Sequence, residues 1–302
     1  MRQYIIRRLL TTALVIVGVS FLTFALIRMA PGDPVALMIG SQRTSQEAVQ
    51  ALRHHWGLDD PFLVAYAKFL WRLVHLDLGT SFGGDRPVLD IIAEQLPSTL
   101  HLTLAAMLFA CLIGVTSGVL AATTKNRLIS SLSMVVAMVG ISIPGYWLGT
   151  VLILVVSLQL GLLPVSMGSG FQRLILPGLA LGLSGAGTLA RMTRSAVLEV
   201  IHADFARTAR AKGLRESLVI RRHILRNALI PVVTVIGLQF GSLLGGAFFI
   251  EAVFARPGLG KLVIGAVQGR DTALVMGIVV VGATAYVLIN FLMDLIYAWL
   301  DP

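Results

Sequence analysis

Long stretches of this chain contain no Asp, Glu, Lys or Arg. They cover residues 9–27, 96–124, 128–172, 174–190, 228–250 and 272–293. A helix crosses the hydrocarbon core of a bilayer with about 20 mainly apolar residues. The first run has that length, and the second supplies a span that enters just after Pro97. The third is too long for one helix. Gly161, Pro164, Gly168 and Gly170 cluster near its end and mark a turn, so its helix is expected over about 130–158. The fourth run is a short span, and the fifth and sixth complete the set. The pattern predicts an all-α membrane protein with six transmembrane helices.

The polar segments between the runs differ in kind. The stretch 29–95 is the only sizeable one that can fold outside the bilayer. Thr44 and Glu47 have the spacing of a capping box, and Ala48, Leu52 and Trp56 then share one helical face. Gly57 is placed to stop that helix. Asp60-Pro61 is placed to start a second, reaching about His75, and a third short helix is expected at 88–96. So short a segment buries little core by itself. It is expected to form a small helical cap on the outer membrane face.

Composition agrees with the pattern. The chain is 56% hydrophobic and 13% charged, against about 25% charged in soluble domains. The single cysteine, Cys111, excludes an internal disulfide framework and lies within an apolar run, where packing is its expected role. An Arg-rich start followed by an apolar run also describes a signal peptide, but the run is long for a signal core. The first run is therefore expected to remain as a span.

Charge sets the orientation. With the N-terminus inside, segments 1–8, 124–129 and 191–227 and the C-terminal end hold fourteen of the 24 Lys and Arg. The outer segments balance to zero, so the whole net charge of +9 falls on the inner side. Basic flanks stay cytoplasmic, which puts both termini inside.

Catalytic and metal chemistry leaves little trace. GxxxxGK[ST], HExxH and CxxC are all missing, and Gly260-Lys261 continues into Leu262. His54-His55 are adjacent and point about 100° apart on a helix, which serves one ion poorly. Acidic residues within the spans are scarce, which argues against a proton-relay pump. Asp294, with Asn290 one turn before it, and Glu251 at the outer end of the fifth span are candidate pathway or gate residues. For each, a polar group bonded to a neighbouring helix or arginine is the competing reading. Met134 and Met138 share a face and are assigned to packing. Gly114 and Gly118 form GxxxG, and Gly241, Gly245 and Gly246 recur in the fifth span, as close helix packing in lipid requires.

The inner segment 191–227 is the richest in pattern. Val197, Ile201, Phe205 and Ala209 fall every four residues and predict one continuous apolar ridge on a helix. Arg207, Arg210 and Lys212 occupy other faces, and Gly213 ends the helix. A second amphipathic stretch over about 216–226 leads to Asn227 and the fifth span, with Pro231 in that span's first turn. A helix–glycine–helix elbow with an apolar ridge and basic flanks fits lipid headgroups and fits a docking partner equally well.

Here the chain resembles a known family. Arg207-Thr-Ala-x-x-x-Gly213 with Arg226-Asn-Ala-Leu-Ile-Pro231 is similar to the EAA loop of permease subunits of ATP-binding-cassette (ABC) importers. The nearest branch is the dipeptide/oligopeptide/nickel one, the dipeptide permease B-like family. Further segments typical of that branch are Pro31-Gly-Asp-Pro34, Gly57-Leu-Asp-x-Pro61, Asp77-Leu-Gly-x-Ser81, Gly245-Gly with Glu251-x-Val-Phe and Pro257-Gly-x-Gly260, and the closing Asp294 with Leu-Asp-Pro302. Three departures stand out: Arg207 replaces the name-giving glutamate, Thr208 replaces the first alanine, and the proline falls later than in the general pattern.

The resemblance implies a type I ABC importer permease fold. Residues 1–28 would form an N-terminal transmembrane helix, 29–95 an extracytoplasmic helical segment, 96–294 the permease core and 295–302 a cytoplasmic tail, with the coupling loop at about 191–231. Phe205, Arg207, Thr208, Ala209, Ala211, Lys212, Gly213, Asn227 and Pro231 would carry the coupling to the ATPase. The chain itself would be no enzyme and hold no cofactor; ATP and Mg would bind on two partner ATPase subunits. A homologous second permease would supply the other half of the pathway, and an extracytoplasmic binding protein would deliver substrate. The setting would be the bacterial inner membrane, with the lipid bilayer and no nucleic acid as surroundings. Dipeptides or oligopeptides are the favoured cargo, with nickel, a metallophore or glutathione as alternatives within the family. A membrane-embedded enzyme would need clustered ionisable residues at midplane, and a secondary carrier internal repeats; the sequence offers neither.

Overall fold

A computed structural model describes residues 2–29, 50, 60–82, 86–165 and 172–300, with side chains described between residues 6 and 293. The expected capping-box helix with Gly57 and His54-His55, Pro31-Gly-Asp-Pro34, Gly168, Gly170, the Asp294 side chain and Asp301-Pro302 lie outside the described residues. The described elements are helical: α1 (Arg2–Met29), α2 (Phe62–Val74), α3 (Val88–Thr123), α4 (Arg127–Ser142), α5 (Gly145–Leu152), α6 (Gln172–Val200), α7 (Asp204–Ala211), α8 (Glu216–Leu218), α9 (Leu225–Val253), α10 (Leu259–Gln268) and α11 (Thr272–Leu300). π-helical turns extend α5 over Ile153–Gln159 and join α8 to α9 over Val219–Ile224. Five helices among the described residues are long and apolar enough to cross a membrane, or six if the bent pair α4/α5 counts as one span.

Four expectations are corrected. The third run does not form one helix over 130–158: it breaks at Ile143-Pro144 and bends by 108°. Proline pushes its predecessor out of the α region, and Ile143 is extended at φ −103° and ψ 126°. The short helix at 88–96 and the second span are a single 36-residue helix with Pro97 inside it. A proline within a membrane helix is tolerated where neighbouring groups satisfy the freed backbone. The fourth span runs ten residues past its apolar limit to Val200, so charged residues alone did not end it. The fifth begins well before Pro231, which therefore sits inside α9 and not in a first turn.

The chain divides into two compact units. One comprises Met1–Pro97 with Lys261–Phe291. Here α2 packs an aromatic face on α1: Phe24 meets Phe62, Tyr66 and Phe69 at centroid distances of 5.4–5.8 Å. The Tyr66 hydroxyl lies 3.0 Å from Ser20 Oγ and donates to the Val17 carbonyl at 3.0 Å, so a buried polar group is paired. Asp271 gathers a second knot. Its Oδ2 accepts from Ser81 Oγ at 2.5 Å and from the Phe82 N–H at 3.0 Å, and its Oδ1 accepts from the Leu274 N–H at 3.0 Å. That carboxylate both caps α11 and holds the loop after α2.

The other unit comprises Ser98–Gly260 with Leu292–Pro302. Its centre is α6, against which α3, α4 and α9 pack. Small residues permit the approach. A Cβ on Gly114 would lie 2.6 Å from the Ala186 carbonyl oxygen, one on Gly118 2.5 Å from that of Ala190, and one on Gly182 2.5 Å from that of Ala106. Gly140 and Gly187 make the same contact between α4 and α6, at 1.9 Å from Leu183 O and 2.4 Å from Ala137 O. The GxxxG reading of Gly114 and Gly118 holds, with α6 as the partner. Gln239 on α9 adds a polar tie, donating to the Gly185 carbonyl at 3.1 Å.

Candidate functional site

The inner elbow is built from the end of α6, the eight-residue α7 and the α8–α9 entry. The continuous ridge expected from Val197 to Ala209 does not form. The helix stops at Val200, turns through Ile201–Ala203, and restarts at Asp204. The stripe is thereby split: Val197 is fully buried, whereas Phe205 is 39% exposed. Ala206 and Ala209 face inward instead, in an apolar floor with Leu189, Val219, Ile224 and Ala228. Ala209, assigned to the coupling loop by the resemblance, packs into this floor. Small side chains there let so short a helix lie close against its floor.

The outward face is left to Phe205, Arg207, Thr208, Ala211, Lys212 and Gly213, all exposed. The Thr208 hydroxyl donates to the Asp204 carbonyl at 2.8 Å. Arg207 comes within 3.8 Å of the Asp204 carboxylate, with both side chains largely in solvent, so the pair contributes little. Gly213 ends the short helix as expected: its N–H bonds to the Arg210 carbonyl at 2.9 Å and its φ is +77°. That left-handed conformation is open to glycine at little cost. Nothing would lie within 4 Å of a Cβ there, so conformation and not crowding requires the glycine. Beyond it, Asn227 is exposed and donates to the His223 carbonyl at 2.8 Å. Pro231, one turn later, offers no N–H to the Asn227 carbonyl.

Arg210 was not singled out by spacing, yet it holds the elbow together. Its Nε and Nη2 donate to the two Glu216 oxygens at 3.0 and 2.8 Å, and its Nη1 donates to the Ile201 carbonyl at 2.9 Å. The hydrogen bond to Glu216 holds the guanidinium above its ordinary range. Opposite charges six residues apart, across a glycine turn, were the available signal.

The three candidate pathway residues fare differently. Glu251 is fully buried within its unit. Its Oε2 accepts from the Gly260 N–H at 2.7 Å, and its backbone carbonyl accepts from the Arg256 N–H at 2.9 Å. Nearby, the Leu259 N–H bonds to Thr99 Oγ1 at 2.9 Å and Ser98 Oγ to the Pro257 carbonyl at 2.6 Å. Glu251 thus organises the turn after α9. Arg256 in that turn is pulled below its ordinary range by burial, which the Glu251 charge opposes. Asn290 donates to the Tyr286 carbonyl at 3.0 Å, a bond within its own helix. Asp294 lies one turn further along α11. Among the described residues no group of three or more His, Cys, Asp or Glu is placed to hold a metal ion.

Comparison with known proteins covers the whole chain. Residues 114–302 match the family described as the binding-protein-dependent transport system inner membrane component, and residues 1–103 match the N-terminal family of the same membrane components. The glutathione transport system permease protein GsiC of Escherichia coli (strain K12) is 41% identical over 302 residues, covering 100% of this chain and 98% of that protein. The dipeptide transport system permease protein DppB of Alkalihalophilus pseudofirmus is 38% identical over 330 residues, covering 100% and 99%. Among solved structures, an inward-facing MetNI methionine ABC transporter aligns with a TM-score of 0.60 at 23% identity, over 70% of this chain and 97% of that one. An amino acid ABC transporter gives 0.55 at 18% identity, over 69% and 94%. These structures share the fold, that of a type I ABC importer permease. The elbow, the packed helices and the two family matches together make this chain a multi-pass member of the family of inner-membrane permease components of binding-protein-dependent ABC importers.

Proposed function

We propose that the chain is one permease subunit of an importer of small peptides, with glutathione, a tripeptide, as the favoured cargo. The observation that carries the cargo is the full-length similarity at 41% identity to a glutathione transport system permease protein. The dipeptide reading favoured from motifs alone becomes the second, supported by the 38% relative named for dipeptides. In this reading Phe205, Thr208, Ala211 and Lys212 face a groove of an ATPase subunit in the cytoplasm. Two such ATPases closing on ATP push this chain and a homologous permease between inward- and outward-facing states, a bistable change biased by nucleotide. A binding protein docks outside and releases substrate between the two permeases. The chain contributes pathway and lever, and ATP with Mg acts on the partner subunits.

The test is reconstitution in proteoliposomes with the second permease, the ATPase subunits and the binding protein. Labelled glutathione is expected to accumulate with ATP and to outcompete labelled dialanine. Accumulation of dialanine but not glutathione would select the second reading. ATP hydrolysis by this chain alone, or ATP-independent uptake, would defeat both.

A further inference from the structure

We propose that Arg210 is a positioning residue that locks the elbow into a single lever, so that a push on α7 reaches both membrane helices beside it. The proposal rests on the function proposed above.

The geometry of the elbow poses the problem. An eight-residue helix, α7, is joined to its neighbours by two turns, at 201–203 and 212–215. Force applied to its outward face would first be absorbed by the softest dihedrals. Gly213 is the softest point: it has no side chain and open space around it. The inward face of α7 itself contributes the alanine side chains of Ala206 and Ala209, with Ile201 and Leu214 of the flanking turns half-buried beside them. Hydrogen bonds that cross the turns add a directional stiffness that such small apolar contacts do not.

Arg210 supplies three bonds from one rigid, planar group. Two run in parallel to Glu216 at the start of α8, across the Gly213 turn, and one reaches Ile201 O at the end of α6, across the other turn. The fork geometry is specific to arginine, since lysine carries the charge but not the parallel donors. Placement strengthens it further. Arg210 lies in the last turn of α7 and Glu216 in the first turn of α8, the ends at which a cation and an anion are favoured by the helix dipoles. Because Glu216 is about half exposed, the pair adds little to folding. Its value is then mechanical: it removes freedom at both turns at once.

The experiment uses the complete importer in proteoliposomes with wild type, Arg210→Ala, Arg210→Lys, Glu216→Gln and the exchanged pair Arg210→Glu with Glu216→Arg. The readout is uptake per ATP hydrolysed, with labelled glutathione as probe, or labelled dialanine where the wild type takes that up instead. Arg210→Ala and Glu216→Gln are expected to retain their ATPase subunits and to lose several-fold in uptake per ATP. Arg210→Lys should fall between these and wild type, and the exchanged pair should regain part of the loss. A ratio within about twofold of wild type in both single variants overturns the proposal. So does loss of the ATPase subunits from both, which would make the pair part of the docking surface. If only Arg210→Ala fails to assemble, Glu216→Gln decides. A wild-type complex without ATP-dependent uptake would instead defeat the proposed function.

Discussion

Glu251 and the two glycines near it set what single residues can do here. A Cβ on Gly258 would lie 2.2 Å from the Glu251 carboxylate, and one on Gly260 would lie 2.2 Å from the Phe248 carbonyl oxygen. The first neighbour is a side chain, the second is backbone and cannot swing away. Gly260→Ala is therefore expected to destabilise by about 1–3 kcal/mol, the usual range for overpacking, seen as a lower midpoint of thermal unfolding in detergent. Gly265, five residues on in α10, would have nothing within 4 Å of its Cβ. Gly265→Ala should leave the midpoint unchanged or raise it, because alanine gains up to about 1 kcal/mol over glycine in a helix. Equal losses for both would refute the crowding argument. The sequence marks Glu251 as unusual only by its place at a span end. Burial and the bond from the Gly260 N–H make Glu251 an organiser of the turn, and no local pattern carries that information.

At the scale of elements, turns and breaks were partly legible. Gly213 was readable as a stop because few residues other than glycine accept a left-handed conformation. Asparagine tolerates that region better than β-branched residues do. In the proposed assembly, Gly213→Asn should therefore preserve co-purification of the ATPase subunits, whereas Gly213→Val should lower it. Equal recovery would mean that the +77° turn does not shape the proposed docking face. The Ile143-Pro144 break was also present in the sequence, as a residue followed by proline and glycine within an apolar run. It was obscured because hydrophobicity does not register a bend. The opposite error occurred at Pro97 and Pro231, where proline stood inside continuous helices. Proline removes one hydrogen bond wherever it stands, and only the surroundings decide whether the helix continues. Asp271 belongs here too: Asp271→Ala removes three hydrogen-bond acceptances at once. It should make the loop at 79–82 more susceptible to proteolysis, and unaltered cleavage would show that the loop is held otherwise.

The whole molecule is ruled by the bilayer. The basic excess of the inner segments predicts that the elbow faces the cytoplasm and α2 the outside. In a Cys111→Ser background, Lys68→Cys should react with a membrane-impermeant thiol reagent added to intact cells. Lys212→Cys should react only in inverted vesicles. Both positions are on solvent-exposed side chains, so reactivity reports side and not burial. The reverse pattern would invert the topology and remove the elbow from any cytoplasmic ATPase.

By itself the sequence determined the class of solvent, the approximate spans and the elbow's position, and it predicts the sidedness. Each follows from composition or spacing within one segment, where transfer energy and helical period act locally. Tertiary structure alone decided which face of α7 points outward, that α6 is the hub for the glycines, and that Arg210 and Glu251 each hold a turn. Those outcomes depend on which atoms from distant segments occupy the neighbouring space. An alanine on a short helix is equally suited to a floor or to a partner until the floor is in place.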